Sequence, residues 1–220
     1  MAFAFPGPLY PIADPAGAPD RTHLELVTAI LSAGVRLVQL RVKNAPTRTS
    51  VEFARAARAL TARVGALLII NDRADIARLI DADGVHVGQD DLSPADARTL
   101  LGPGKIIGLS THTAAQVRSA EQEGTADYLA FGPIFPTLSK QRADPQQGLD
   151  GLRAVRRITR RPLVAIGGID AETLVSVLQA GADAVAVIGA IARAAEPQAA
   201  TRMLHARALA VRAHPARRQS

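Results

Sequence analysis

Two acidic groups carry the strongest chemical signal in this chain of 220 residues. Asn71-Asp72-Arg73 follows the apolar run Ala66-Leu67-Leu68-Ile69-Ile70, and Asp90-Asp91 follows the short run Val85-His86-Val87. Carboxylates just past the ends of two successive buried strands are costly to desolvate unless they bind something. Parallel neighbours lie roughly 5 Å apart. Two such acids could therefore share one hard cation, and that cation could hold a phosphate. A third run ends in Gln39-Leu40-Arg41-Val42-Lys43, where strand alternation puts Gln39, Arg41 and Lys43 on one face. Only three of the 26 Lys and Arg residues are lysine, namely Lys43, Lys105 and Lys140, so their positions carry information.

Short apolar runs at 9–13, 36–40, 66–70, 85–87, 106–109, 128–131, 163–166 and 184–188 read as strands. Between them, stretches such as 22–33, 51–64, 114–123 and 171–180 have helical periodicity. Strands alternating with helices imply a parallel sheet with crossover connections. Gly34, Gly65, Gly84, Gly124 and Gly181 each precede or open an apolar run, as left-handed residues after helix ends would. Eight such units predict a (β/α)₈ TIM barrel. The rival, a doubly wound open sheet, would carry a glycine fingerprint after the first strand. Asp14-Pro15-Ala16-Gly17 stands there instead. One domain is expected over 1–213, closed by a helix at 198–212, with a disordered basic tail at 214–220.

In such a barrel the site forms at the C-terminal ends of the strands. The polar residues fall there: Gln39, Arg41 and Lys43, then Asn71-Asp72, then Gln89-Asp90-Asp91, then Ser110-Thr111-His112, then Thr137 to Lys140. Gly167-Gly168 and Gly189 end the last two strands and could let backbone N–H groups close on a phosphate. The opposite junctions read as Gly, Ala and short polar turns. Bland readings compete. Asn71 or Asp72 could cap the helix that begins near Ala74, and Gln39, Arg41 and Lys43 could be a solvated face. Asp91 is freer, because Ser93-Pro94 already supplies a cap with proline at the first helical position. Thr113 to Gln116 reads as a capping box, which leaves Ser110 to face a ligand. His86 reads as a packed imidazole. His112 reads as a turn residue or, less favoured, a base. The segment 136–147, polar and with two prolines, has the length of a functional loop, and Lys140 within it could swing onto an anion.

The composition excludes several function classes. Without cysteine there is no disulfide framework, thiolate nucleophile or thiolate metal site, which is compatible with a cytoplasmic setting. No stretch reaches the length of a membrane span, and the start, Met1 to Tyr10, lacks a basic region and a long apolar core. The net charge of +6 is largely C-terminal, with Arg202, Arg207, Arg212, Arg217 and Arg218 following the last acid, Glu196. Aromatics make up 3% of residues, too few for a base-stacking platform, so no nucleic-acid partner is expected. Self-association into a homo-oligomer stays open.

Six motifs, in order along the chain, resemble the thiamine phosphate synthase family: QLRVK at 39–43, NDR at 71–73, GVHVGQDDL at 84–92, GLSTHT at 108–113, FGPIFPTLSK at 131–140 and AIGGI at 165–169. The resemblance implies a TIM barrel that joins a hydroxymethylpyrimidine diphosphate to a thiazole phosphate and releases diphosphate with Mg²⁺. It implies that Gln39, Arg41, Lys43, Asn71, Ser110 and Lys140 bind the pyrimidine diphosphate, with Arg41, Lys43, Ser110 and Lys140 at the chemistry. Leu40 and Val42, inside the first motif, count among the substrate-binding residues. Asp72 and Asp91 become the Mg²⁺ ligands. Thr137, Leu138, Ser139, Gly168, Ile188 and Gly189 would hold the thiazole phosphate. Two positions depart from the family: Gly189 stands where serine is frequent, and Ser139 where threonine is common. The alternatives are a thiazole tautomerase on the same barrel, a non-catalytic sensor of these phosphates, and a phosphosugar isomerase or epimerase. The last is weakened by the lack of a well-placed acidic base pair.

Overall fold

The computed structural model describes residues 3–15, 17–18, 20–137 and 145–213. The basic tail expected at 214–220 lies outside them. The first half runs β1 (Leu9–Ala13), α1 (His23–Ser32), β2 (Leu37–Leu40), α2 (Thr47–Val64), β3 (Leu67–Asn71), α3 (Ala74–Leu79), β4 (Gly84–Val87) and α4 (Pro94–Leu101). The second runs β5 (Ile106–Thr111), α5 (Ala114–Glu123), β6 (Tyr128–Phe131), α6 (Gly148–Ile158), β7 (Leu163–Ile166), α7 (Leu174–Gln179), β8 (Ala184–Val187), α8 (Gly189–Ala192) and α9 (Pro197–Ala213). The eight strands are all parallel and close, β1 pairing with both β2 and β8. This is the expected (β/α)₈ barrel.

The strands read as unbroken apolar runs because both of their faces are covered. One face looks into the barrel, where Tyr10, Ile12, Leu37, Ile69, Tyr128, Val164 and Ala186 pack together. The other meets the helices through residues such as Val38, Leu68, Val85, Ile107 and Leu129. Phe5, ahead of β1, packs its ring against Tyr128 (centroids 5.2 Å apart) and Tyr10 (5.9 Å).

The starts of α1 and α4 carry side-chain caps, while α2 begins at Thr47, ahead of the expected 51, and α7 at Leu174, after the expected 171, both without one. Thr22 and Glu25 form a full capping box on α1, and Ser93 accepts from the Asp96 N–H ahead of Pro94 on α4. At α5 only half of the expected box forms: Thr113 accepts from the Gln116 N–H, while the Gln116 side chain turns to the N–H of His112 at 2.7 Å. Gly34, Gly65, Gly124 and Gly181 have the left-handed φ expected of them, but Gly84 does not. Gly84 lies inside β4, where a Cβ would stand 2.1 Å from the Ile106 carbonyl oxygen. Close approach of β5, not a helix cap, requires that glycine.

The N-terminal ends of the strands are not the plain turns expected. Asp83, Asp127 and Asp183 stand just before β4, β6 and β8, each in an Ala-Asp pair. Their carboxylates accept from the N–H of Leu68 (2.8 Å), Ile107 (2.7 Å) and Leu163 (2.9 Å) on the preceding strand. Each also pairs with a helix arginine: Arg58 (3.0 Å), Arg98 (2.6 Å) and Arg156 (3.0 Å). The equivalent place before β2 holds Arg36. These clamps tie helix, strand and next strand together at one end of the barrel.

Candidate active site

At the other end, the C-terminal ends of the strands surround a cavity of about 390 Å³. Gln39, Arg41, Asn71, Ser110, Thr137, Gly168, Ile188 and Gly189 all line it. Residues from five strand ends and the loop after β6 thus converge as the barrel geometry requires. Lys43, Asp72 and Asp91 stand beside the cavity, not among its lining. Leu40 and Val42 are different. Side chains alternate along β2, so Leu40 packs in the layer between barrel and helices, with Val42 against it. Only their backbone could meet a ligand. Leu138, Ser139 and Lys140 lie outside the described residues.

The acidic side is built by two turns. Asp72 sits just past β3 with φ of 61°, a left-handed conformation uncommon for a residue other than glycine. Its N–H donates to the His86 carbonyl at 2.7 Å, which carries its side chain across to Lys43. The capping role that competed for this residue is not realised: Arg73 occupies the cap position of α3, and no side chain caps that helix. Asp91 accepts from the Gly88 N–H at 2.7 Å. Burial pushes its carboxyl above the usual carboxylate range, the adjacent Asp72 carboxylate adds to the rise, and the Gly88 N–H and Lys43 pull the other way. Two carboxylates thus stand together beside a single lysine, one positive charge short of neutrality. Such a pair favours a cation.

Arg41 is oriented by a residue the sequence reading passed over. Asp14, just past β1 and buried, pairs with its guanidinium. One nitrogen is held, and the remaining donors of the fork are left for an anion. The rule that singled out Asp72 and Asp91, an acid past a buried strand, would also have found Asp14. His112 Nδ1 is 2.7 Å from the Gly132 carbonyl oxygen and donates to it. A carbonyl only accepts, so Nδ1 carries the proton. The imidazole lines the cavity with its ring fixed.

The opposite rim is glycine-rich for steric reasons. Gly167 and Gly168 have φ of 102° and 63°. A Cβ on Gly168 would lie 2.4 Å from the Pro136 carbonyl oxygen, and one on Gly167 would lie 2.6 Å from the Pro133 Cα. The loop after β6 can approach β7 only because both are glycine. Gly189 opens the short α8, which the sequence did not signal. The Arg193 guanidinium lies over it, 2.3 Å from where a Cβ would be, and lines the cavity. A serine here would have to displace that arginine.

A family model described as thiamine monophosphate synthase matches residues 9–191. The chain belongs to that family. Thiamine-phosphate synthase of Moorella thermoacetica is 50% identical over 184 residues, covering 84% of this chain and 87% of its own. That of Chloroflexus aurantiacus is 46% identical over 198 residues, covering 90% of this chain and 91% of its own. A solved structure, thiamine phosphate pyrophosphorylase from Pyrococcus furiosus, matches with a TM-score of 0.82 at 37% identity, covering 92% of this chain and 96% of that one. As a thiamine monophosphate synthase family member, this chain is an enzyme of the transferase class. No helix among the described residues is long and apolar enough to cross a membrane.

Proposed function

We propose that the chain is a thiamine-phosphate synthase. In this reading it joins 4-amino-2-methyl-5-hydroxymethylpyrimidine diphosphate to thiazole phosphate. The bond between the pyrimidine methylene carbon and the diphosphate oxygen breaks, and its electron pair leaves with diphosphate. The thiazole nitrogen lone pair then forms the new C–N bond to that carbon. The electron-rich aminopyrimidine ring stabilises the carbon between the two events. No side-chain nucleophile is required.

The observation that carries this reading is the Asp72–Asp91 pair beside Lys43 and the Asp14-held Arg41, at the mouth of a cavity whose far rim is glycine and Arg193. A diphosphate leaves only if its growing charge is neutralised. Arg41 and Lys43 meet that demand, and the family resemblance adds Lys140 to them. A site for the thiazole phosphate alone would have no use for a repelling carboxylate pair.

The donor set fits Mg²⁺. Among the described residues no group of three or more His, Cys, Asp or Glu side chains comes together. An ion at Asp72 and Asp91 would therefore complete its shell with water and diphosphate oxygens, as Mg²⁺ does with one or two carboxylates. When bound, it would supply positive charge to the leaving diphosphate without proton transfer. Lys43, which holds Asp72 meanwhile, would be released toward the phosphates. Asn71, Gln39 and Ser110 would orient the pyrimidine. Thr137, Ser139, Gly168, Gly189 and Arg193 would hold the thiazole phosphate.

The test is to mix purified protein with both phosphorylated substrates and Mg²⁺ and measure thiamine phosphate and diphosphate. Stoichiometric formation of both, abolished by chelator, is expected. Undiminished turnover in chelator would remove the metal from the reading. Thiazole isomerisation without coupling would make the protein a tautomerase, and tight binding without any product a sensor.

A further inference from the structure

Five polar side chains run in series through the otherwise apolar interior of the barrel. Gln39 Nε2 donates to Tyr10 Oη at 3.0 Å. The Tyr10 and Tyr128 hydroxyls are 2.7 Å apart. Tyr128 Oη is 2.9 Å from His86 Nδ1, and His86 Nε2 is 2.9 Å from Ser110 Oγ. Both tyrosines are fully enclosed. Burial pushes both phenols well above their ordinary range, so each keeps its proton.

The sequence makes room for this series at a cost. Gly108 lies in the middle of β5, opposite His86 on β4 and Tyr128 on β6. Glycine weakens a strand interior unless something must pass close to it. Here a Cβ would stand 2.1 Å from Tyr128 Cζ and 2.5 Å from His86 Nδ1. The missing side chain is the space through which the tyrosine reaches the histidine.

Counting protons gives the series a direction. Tyr10 accepts from Gln39. If it also accepted from Tyr128, its own proton would be buried without an acceptor, which is expensive. Tyr10 therefore donates to Tyr128, and Tyr128 donates to His86 Nδ1. The imidazole proton then sits on Nε2 and goes to Ser110 Oγ. Ser110 has its own proton left for the cavity, and Gln39 its carbonyl oxygen. Both residues line that cavity.

We infer that Tyr10, Tyr128 and His86 are positioning residues, a unidirectional hydrogen-bond chain that fixes Gln39 as an acceptor and Ser110 as a donor toward the substrate. The ligand class this suits is an amino heteroaromatic, which brings an exocyclic N–H to Gln39 and an acceptor atom to Ser110. With the Gln39 amide turned over, every bond would reverse and the preference with it. The substrate half of the inference rests on the proposed synthase reading, while the direction of the chain does not.

The experiment is long-range ¹H–¹⁵N correlation of the histidine rings in the ligand-free full chain at neutral pH, with His86 identified by its loss in His86→Asn. A protonated Nε2 and an unprotonated Nδ1 are expected. A proton on Nδ1 overturns the inference, whatever the enzyme's activity. Tyr128→Phe keeps the ring and removes the link, and Tyr10→Phe cuts the chain one step earlier should the first fold poorly. Each is expected to shift the His86 ring signals. Each should also raise KM for the pyrimidine diphosphate about tenfold and leave KM for the thiazole phosphate unchanged. Unaltered ring signals and an unaltered KM in both variants would overturn it too. Wild-type protein that shows the Nε2 proton but makes no thiamine phosphate would sink the synthase reading alone.

Discussion

The two ends of this barrel use aspartate in opposite ways. At the N-terminal end, Asp83, Asp127 and Asp183 each satisfy a strand N–H and an arginine. Each acid there has its own cation, so nothing further is called for. At the C-terminal end, Asp72 and Asp91 sit against each other with Lys43 shared between them. Asp72 is held in a left-handed backbone conformation to do so, and Asp91 is pushed toward its protonated form. Satisfied acids hold a fold together, whereas acids forced together store an electrostatic cost that a bound cation can relieve.

The sharpest way to break this contrast is to remove one acid from each end. Asp72→Ala and Asp91→Ala are each expected to lower kcat/KM by about 10²–10³-fold, or about 3–4 kcal/mol of transition-state stabilisation. Thermal melting should stay within a few degrees of the parent, since removing one of two repelling carboxylates relieves strain. A large fall in melting temperature with activity retained per folded molecule would make the pair structural. Asp127→Ala should do the reverse. It strands the Ile107 N–H and the Nη2 of Arg98, at about 1–3 kcal/mol, which for a chain of this size is a drop of about 3–10 °C. The folded fraction should turn over normally. Lost activity without lost stability would mean the clamps act on the site.

Gly168→Ala sharpens the contrast within the site. Its φ of 63° and the Pro136 oxygen 2.4 Å from a new Cβ predict a weaker rim, with KM for the thiazole phosphate raised about tenfold and the pyrimidine side less affected, as initial-rate kinetics with each substrate varied would show. The smallest effect is expected from Arg193→Ala. Loss of one partly exposed charge-assisted contact, about 1 kcal/mol, should raise the same KM about fivefold and leave melting unchanged. Gly189→Ser should resemble it, because the hydroxyl would displace the guanidinium.

Strand and helix positions were legible because apolar runs of both-face-buried strands and the periodicity of helices are local signals. Leu9–Ala13, Tyr128–Phe131 and Leu163–Ile166 match the runs residue for residue. The short α8 was hidden, since four residues cannot show a period. The Ala-Asp repeat before β4, β6 and β8 was visible but not read, as its meaning depends on arginines 25 to 29 positions earlier. Gly84 was misassigned because a glycine required by a neighbouring strand looks the same in sequence as one required by a turn.

By itself the sequence determined the alternation that makes a barrel, the end at which polar residues gather and the residue types able to handle phosphate. Each follows from covalent order: what lies on one strand, and what comes just after it. The tertiary structure decided which of those residues act together. It brought Asp72 onto Asp91, Asp14 onto Arg41 and Tyr128 past Gly108 onto His86, and it turned Leu40 away. Those pairings depend on strand register and on the closing of the ring, which place residues far apart in the chain within hydrogen-bond distance. Charge repulsion, burial and proton direction exist only once that distance is set.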